Sequence, residues 1–193
     1  MKTLLALALA AASAAIALAA PAFAETQASV GYSSFDVGSS NLNAITGRVG
    51  WAPGSPSNGM SELAFGVEGE VSLGLGDDTT GTGTSRVSSK LSSEYGVFGT
   101  LTAATDGFSA FARVGFANID AKTTLGTGTT ATHSSDSEGG LAYGAGASLN
   151  LGDNSAVRAD YTHYDVNLGA TPTPAFKGHD ANVWSVSFVR RFK

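Results

Sequence analysis

Apolar and polar residues alternate one by one through most of this chain. In "GLAYGAGASLNL", residues 140–151, Leu141, Tyr143, Ala145, Ala147, Leu149 and Leu151 share one face, while Gly140, Ala142, Gly144, Gly146, Ser148 and Asn150 share the other. A repeat of two residues is the signature of a β-strand, because successive side chains of an extended backbone point to opposite sides. Residues 62–76 repeat it, with Leu63, Phe65, Val67, Val71, Leu73 and Leu75 set against Ala64, Gly66, Glu68, Glu70 and Ser72. "KLSSEYGVFGTL" from Lys90 sets Leu91, Tyr95, Val97 and Leu101 against Lys90, Glu94, Gly96 and Thr100, with Phe98 breaking the polar side. "FSAFARVGFAN" sets Ala110, Ala112, Val114 and Phe116 against Phe111, Arg113, Gly115 and Ala117. In "AVRADYTHYDV", Val157, Ala159 and Tyr161 oppose Arg158, Asp160 and Thr162, and "NVWSVSFVRRF" carries Trp184, Val186, Phe188 and Phe192 on one side, interrupted by Arg190. Segments near 26–35 (Ala28, Val30, Tyr32) and 43–51 (Ile45, Val49, Trp51) bring the predicted strands to eight.

The connections alternate in length. On one side they span 36–42, 76–89, 119–138 and 167–180; on the other 52–61, 103–107 and 151–155. The long ones are rich in Thr, Gly and Ser, a composition too poor in apolar groups to order itself, and are read as mobile surface loops. Long loops on one rim and mostly short turns on the other are the pattern of an up-and-down barrel in an outer membrane. The first loop is short and the first turn long, so the asymmetry is imperfect.

The N-terminus points the same way. Lys2 is the only charge before Glu25, Leu4 to Ala20 are apolar apart from Ser13, and Pro21-Ala22-Phe23-Ala24 supplies small residues at the −3 and −1 positions of a signal-peptidase site. Residues 1–24 are therefore read as a cleaved signal peptide and 25–193 as one barrel domain. The alternative, a retained membrane helix, needs about 20 apolar residues, slightly more than Leu4–Ala20 offers. No later run is long enough for a spanning helix, so an exported chain of this kind crosses a membrane only as a closed barrel.

Composition then removes several function classes. Cleavage leaves 169 of the 193 residues, with 10 basic against 16 acidic groups, a net charge near −6 that argues against nucleic acid as a partner. There is no cysteine, hence no disulfide, thiolate metal site or cysteine nucleophile. His133, His163 and His179 are the only histidines and none stands at metal-ligand spacing from another, so neither a metal nor a cofactor is expected. No Gly-x-Ser-x-Gly elbow is present, and the Gly-rich tracts precede no helix that could cradle a phosphate.

A barrel in lipid needs apolar groups outside and polar or small ones inside, and eight strands enclose a bore that side chains just fill. The inward face then collects Arg48, Lys90, Arg113 and Arg158 with Glu68, Glu70, Glu94 and Asp160. Four cations and four anions in so narrow a bore read as an ion-pair network that plugs it, the alternative being a small wetted channel. Gly144, Gly146 and Ser148 leave room for side chains reaching across. Trp51, Phe65 and Phe192 fall near the short-turn ends and Tyr32, Tyr143, Tyr161 and Trp184 toward the loop ends, as interfacial girdles. A soluble lipocalin-like barrel would reverse the faces, packing Leu, Val and aromatics inward.

"FARVGFA" (111–117), "GLAYGAGASLNL", "AVRADYTHYDV" and the C-terminal "VSFVRRF" (186–192) resemble the OmpA/OmpX-type small outer-membrane barrels, a family of porin-like surface proteins. The resemblance covers the whole chain with its signal peptide. It implies an eight-stranded antiparallel transmembrane barrel in the bacterial outer membrane, non-enzymatic, with a structural, surface-interaction or weakly porin-like role. Its expected surroundings are outer-membrane lipid and lipopolysaccharide, the barrel assembly machinery and an unidentified loop ligand. Lys193 after Phe192 departs from the terminal aromatic that the assembly machinery reads, and Arg190 stands where an apolar residue is usual: either the last strand ends at Phe188, or Arg190 snorkels at the interface. Because some such barrels modify lipid A, a rim histidine, His163 or His179, with a serine and an acid is the alternative function.

Overall fold

The computed structural model describes residues 24–38, 40–53, 62–82, 86–105, 107–126, 131–168 and 179–192. Within them the predicted alternation becomes β1 (Ala24–Val37), β2 (Ser40–Pro53), β3 (Glu62–Gly74), β4 (Asp78–Thr80), β5 (Val87–Ala104), β6 (Phe108–Leu125), β7 (Thr132–Gly152), β8 (Ser155–Leu168) and β9 (His179–Phe192). Each long strand is antiparallel to the next in sequence. β1 pairs with β9 from Thr26↔Phe192 to Val37↔Ala181, which closes the sheet on itself. β4 is a continuation of β3: after Gly76, whose φ of 81° suits a residue without Cβ, the chain rejoins β5 through Asp78↔Ser89 and Thr80↔Val87. The result is a closed barrel of eight long strands.

The exterior is apolar. Val30, Phe65, Val67, Val97, Phe116, Trp184, Val186 and Phe188 all stand exposed, while Arg48, Glu68, Glu70, Glu94, Arg113, Arg158 and Asp160 are buried. These faces are the reverse of a soluble ligand-binding barrel. The predicted girdle residues Tyr32, Phe65, Tyr143, Trp184 and Phe192 are exposed and Trp51 and Tyr161 half-buried, on the outward side of their strands.

Toward the extracellular hairpins the faces exchange character. Phe35, Val37, Leu42, Leu91, Ile119, Tyr164, Ala181 and Val183 form a buried apolar cluster inside the barrel, and Asp36, Asn41, Lys90, Lys122, Asp165 and Asp180 are exposed outside it. Such an arrangement suits a barrel end that stands clear of lipid: where the outside is water, the apolar side chains turn inward, each gaining roughly 1.5–3 kcal/mol by full burial. The strands accordingly run into segments expected as loops. The 119–138 segment is strand up to Leu125 and again from Thr132, 76–89 contains β4 and the start of β5, and 36–42 reduces to a tight turn after Val37 with Gly38 at φ 59°. β9 continues to Phe192, and Arg190 is exposed with Nη1 donating to Ser155 Oγ at 3.0 Å. The predicted signal peptide, apart from the backbone of Ala24, lies outside the described residues, as do most of the turn at 52–61 and of the loop at 167–180.

Candidate functional site: the charged barrel interior

Seven of the eight residues assigned to the interior charge cluster lie inside, brought together from five strands. Arg48 (β2) pairs with Glu70 (β3), and its Nη2 stands 3.2 Å from Asp160 Oδ2 (β8). Arg113 (β6) reaches Glu70 at 2.8 Å and Glu68 at 3.1 Å through Nη1. Arg158 meets Glu68 at 2.5 Å and Asp160 at 2.9 Å. Every arginine touches two or more carboxylates and every carboxylate of this core touches two or more arginines, which is how ionised groups offset the several kcal/mol each loses on leaving water.

The rest of the lumen fits around this core. Phe98, the residue that broke the alternation, lies buried with the Arg113 guanidinium 4.3 Å from its ring centre, and Phe111 holds Arg158 at 4.0 Å. The guanidiniums thus sit on aromatic faces as well as among carboxylates. Arg113 Nε donates to Thr162 Oγ1 at 2.9 Å, and Tyr164 OH donates to Glu70 Oε1 at 2.7 Å. Gly144 and Gly146 provide the necessary space: a Cβ on Gly146 would stand 2.5 Å from Phe111 Cζ and 2.6 Å from Asp160 Cβ.

Lys90 is the exception, and a correction. It is exposed on the outside, and its ion pair with Asp77 at 3.8 Å is exposed too. The register of β5 against β6 slips by one residue between Leu91 and Ser93. This bulge inverts the alternation, so that Leu91 points inward where Lys90 was expected. Among the described residues the interior therefore holds three arginines and four carboxyl groups, not a balanced set.

Glu94 is the surplus carboxyl. It makes no ion pair within 4 Å among the described residues, and its Oε1 has no hydrogen-bond partner. Its Oε2 accepts from Ser72 Oγ at 2.7 Å, and the contacts continue from Ser72 to Thr46 (2.9 Å), Ser33 (2.6 Å) and Ser185 (2.7 Å), where Arg48 Nη2 donates at 2.9 Å. An arginine can only donate, so with a carboxylate at the far end each hydroxyl accepts one bond and donates the next. Such aligned chains strengthen each member and spread charge from Arg48 toward Glu94. Ser72 and Thr162 stand on the polar faces read from the sequence but without a role there; Ser33, Thr46, Ser185 and Tyr164 were not singled out, and inward register on β8 after Arg158, Asp160 and Thr162 would have found Tyr164. Glu94→Gln, which replaces a carboxyl that has no cation beside it while keeping the acceptor for Ser72, is expected to leave the urea midpoint unchanged or higher, whereas Glu70→Gln lowers stability by about 3 kcal/mol or more.

The two histidines with described side chains, His133 and His163, do not converge on a reactive centre. His163 Nδ1 meets Asn182 Oδ1 at 2.9 Å, Nε2 lies 3.7 Å from Asp180, and the ring rests 5.1 Å from Tyr143, all on the outer wall. Among the described residues no serine or threonine hydroxyl bonds to it. His133 contacts Thr124 Oγ1 at 3.1 Å on the exterior, and the side chain of His179 lies outside the described part. No group of three or more candidate ligands for a metal ion occurs among the described residues.

Comparison with known proteins places this geometry in context. The profile of the outer membrane protein beta-barrel domain family matches residues 4–192. Ail, the attachment invasion locus protein of Yersinia pestis, solved in complex with the heparin analogue sucrose octasulfate, aligns with a TM-score of 0.57 at 18% identity over 88% of this chain and 99% of its own. Neisserial surface protein A aligns with a TM-score of 0.52 at 13% identity over 89% and 98%. The outer membrane enzyme PagL aligns with a TM-score of 0.39 at 16% identity over 86% and 98%. A search by sequence against curated proteins finds no match.

Proposed function

Starting from the fact that this chain belongs to the outer membrane protein beta-barrel domain family and is an outer-membrane protein, we propose that it is a non-enzymatic barrel with a sealed interior. Its work is done by its outer surfaces and extracellular hairpins. The observation carrying this reading is the closed lumen: a buried layer of Arg48, Arg113 and Arg158 locked to Glu68, Glu70 and Asp160. Above it lies an apolar layer around Phe35, Leu42, Leu91 and Ile119. An ion crossing the bore would have to separate the first layer and then wet the second.

Two measurements test it. In planar bilayers the purified wild-type barrel is expected to conduct poorly or only in brief openings; a large steady conductance would mean an open pore. Expressed in a Gram-negative host, the chain is expected to leave the lipid A mass profile unchanged, and His163→Ala likewise. A change in acyl number that His163→Ala abolishes would turn the reading to a lipid-modifying enzyme, the alternative open from the sequence.

A further inference from the structure

The outer wall carries a feature that sealing the lumen does not explain. Across β2, β3, β5 and β6 the alternation leaves glycine where neighbours carry valine or larger. The result is an apolar groove of about 810 Å³ flanked by Val49, Val71, Tyr95, Val97 and Phe116, with Gly69 in its floor and Asn118 at its end. These side chains face the lipid side of the barrel, and Val97, Phe116 and Tyr95 are each at least half exposed.

The same two strands that supply Tyr95, Val97 and Phe116 gain lysines as they leave the apolar band, with Asp120, which accepts from Ser93 Oγ at 3.0 Å, the described acid facing outward between Asn118 and Lys122 on β6. Lys90 on β5 and Lys122 on β6 are direct cross-strand partners, both exposed, and Arg86 is exposed just before β5 begins. Two like charges set directly opposite each other destabilise a sheet unless an anion lies between them. Asp77 stands 3.8 Å from Lys90, and no described acid lies within ion-pair distance of Lys122. Exposed hydroxyls surround the pair: Ser135 lies opposite Lys122 on β7, with Ser137 below it. Elsewhere around this end the outward charges are acidic, with Asp36, Asp165 and Asp180 exposed on β1, β8 and β9. Lys122 is four residues beyond Asn118 on β6, about 13 Å along a strand.

We propose that the β5–β6 wall is a binding site for one lipopolysaccharide molecule of the outer leaflet, one acyl chain lying along the Gly69 groove and a headgroup phosphate held between Lys90 and Lys122. The site rests on the outer-membrane barrel reading and goes beyond it in choosing one wall and one lipid. Charge complementarity selects this lipid over zwitterionic ones, and the groove below the lysines selects an acylated anion over a soluble one.

The test uses the full mature barrel refolded in detergent with equimolar lipid A, phosphatidylglycerol and phosphatidylcholine, passed through detergent exchange, with retained lipid quantified by mass spectrometry. Lipid A is expected near one per barrel, at least tenfold above phosphatidylglycerol. The exposed double change Lys90→Glu/Lys122→Glu and the groove-filling Gly69→Phe are each expected to lower retention at least fivefold. A Cβ at Gly69 comes no closer than 3.9 Å to its nearest neighbour, Val49 O, so a side chain there projects outward without disturbing the sheet. If either variant fails to fold, Lys90→Gln/Lys122→Gln or Gly69→Leu takes its place. Retention equal to that of phosphatidylglycerol, or retention that survives either variant, overturns the site. The heat-dependent gel shift of the same samples reports the folded barrel independently: its absence in the wild type would count against the barrel reading, its presence confines a negative result to this site.

Discussion

Arg113→Ala is expected to lower the unfolding free energy of the barrel by about 3–5 kcal/mol and to raise its ion conductance together. The side chain is fully shielded, and its guanidinium stands 3.1 Å from Glu68, 2.8 Å from Glu70 and 3.6 Å from Asp160. Truncation leaves two arginines facing those three acids and Glu94 in a confined space, and vacates the area above the Phe98 ring. The cost is mainly that of anions left unpaired in a medium that solvates them poorly, and water drawn in to relieve it opens the bore. Lys90→Ala is the matched control: its pair with Asp77 is 3.8 Å long with both side chains about half exposed, so less than about 1 kcal/mol is at stake. Urea titration in micelles followed by tryptophan fluorescence, with planar-bilayer recording on the same preparations, measures both effects. Equal midpoints and equal conductance for Arg113→Ala and Lys90→Ala would mean that the charged layer neither holds nor closes the barrel.

The contrast between Arg113 and Lys90 also marks where sequence reading works and where it stops. Arg48, Glu68, Glu70, Arg113, Arg158 and Asp160 were legible because each stands in register with small or polar neighbours on an unbroken stretch of alternation, so one parity assigns a whole strand. Lys90 shares its parity with Glu94 and Gly96, but the slip between Leu91 and Ser93 changes the side it faces. A bulge adds one residue without a fixed residue signature, and "KLSSEY" contains no glycine to mark it. The specific pairings were beyond reach for a related reason. Arg48 meets Asp160 across the bore, 112 positions away in sequence, and such contacts depend on the stagger with which the sheet closes, which no single strand encodes.

The extracellular end misled the reading in a different way. Thr, Ser and Gly between 119 and 138 suggested loop, yet Thr123 is buried and β6 and β7 stay paired from Asn118↔Gly139 to Leu125↔Thr132. A strand in lipid is legible by the contrast between apolar and polar faces. Once outside lipid the contrast reverses and weakens, with Ile119 and Ala121 inward and Asp120 and Lys122 outward. The periodicity persists, but its sign no longer matches the strand below it. Tyr161 and Trp184, with rings 4.8 Å apart on neighbouring strands, stand on the outward side close to where the sign changes.

Gly144→Ala, the smallest change that can be made there, is expected to abolish or severely reduce assembly of the barrel. Gly144 is paired with Thr162 and with Arg113 across its two neighbouring strands. An added Cβ would collide with the carbonyl oxygen of Tyr161 and stand 2.9 Å from both Cα and Oγ1 of Thr162. The obstacles are backbone and a β-branched side chain, which do not rotate away. Relief requires β7 and β8 to separate where Thr162 also accepts from Arg113 at 2.9 Å, so a methyl group would disturb both the wall and the charged layer. Gly69→Ala tests whether glycine itself is what matters. It sits in a strand of the same sheet but faces outward, with its nearest contact at 3.9 Å, and replacing it costs little because an exposed strand position favours alanine over glycine. Refolding yields read from the heat-dependent gel shift are expected to remain at wild-type level for Gly69→Ala and to fall at least tenfold for Gly144→Ala. Equal yields would mean that the β7–β8 wall has more slack than its interior packing implies, and that the run of small residues at 140–148 answers to some demand other than space in the bore.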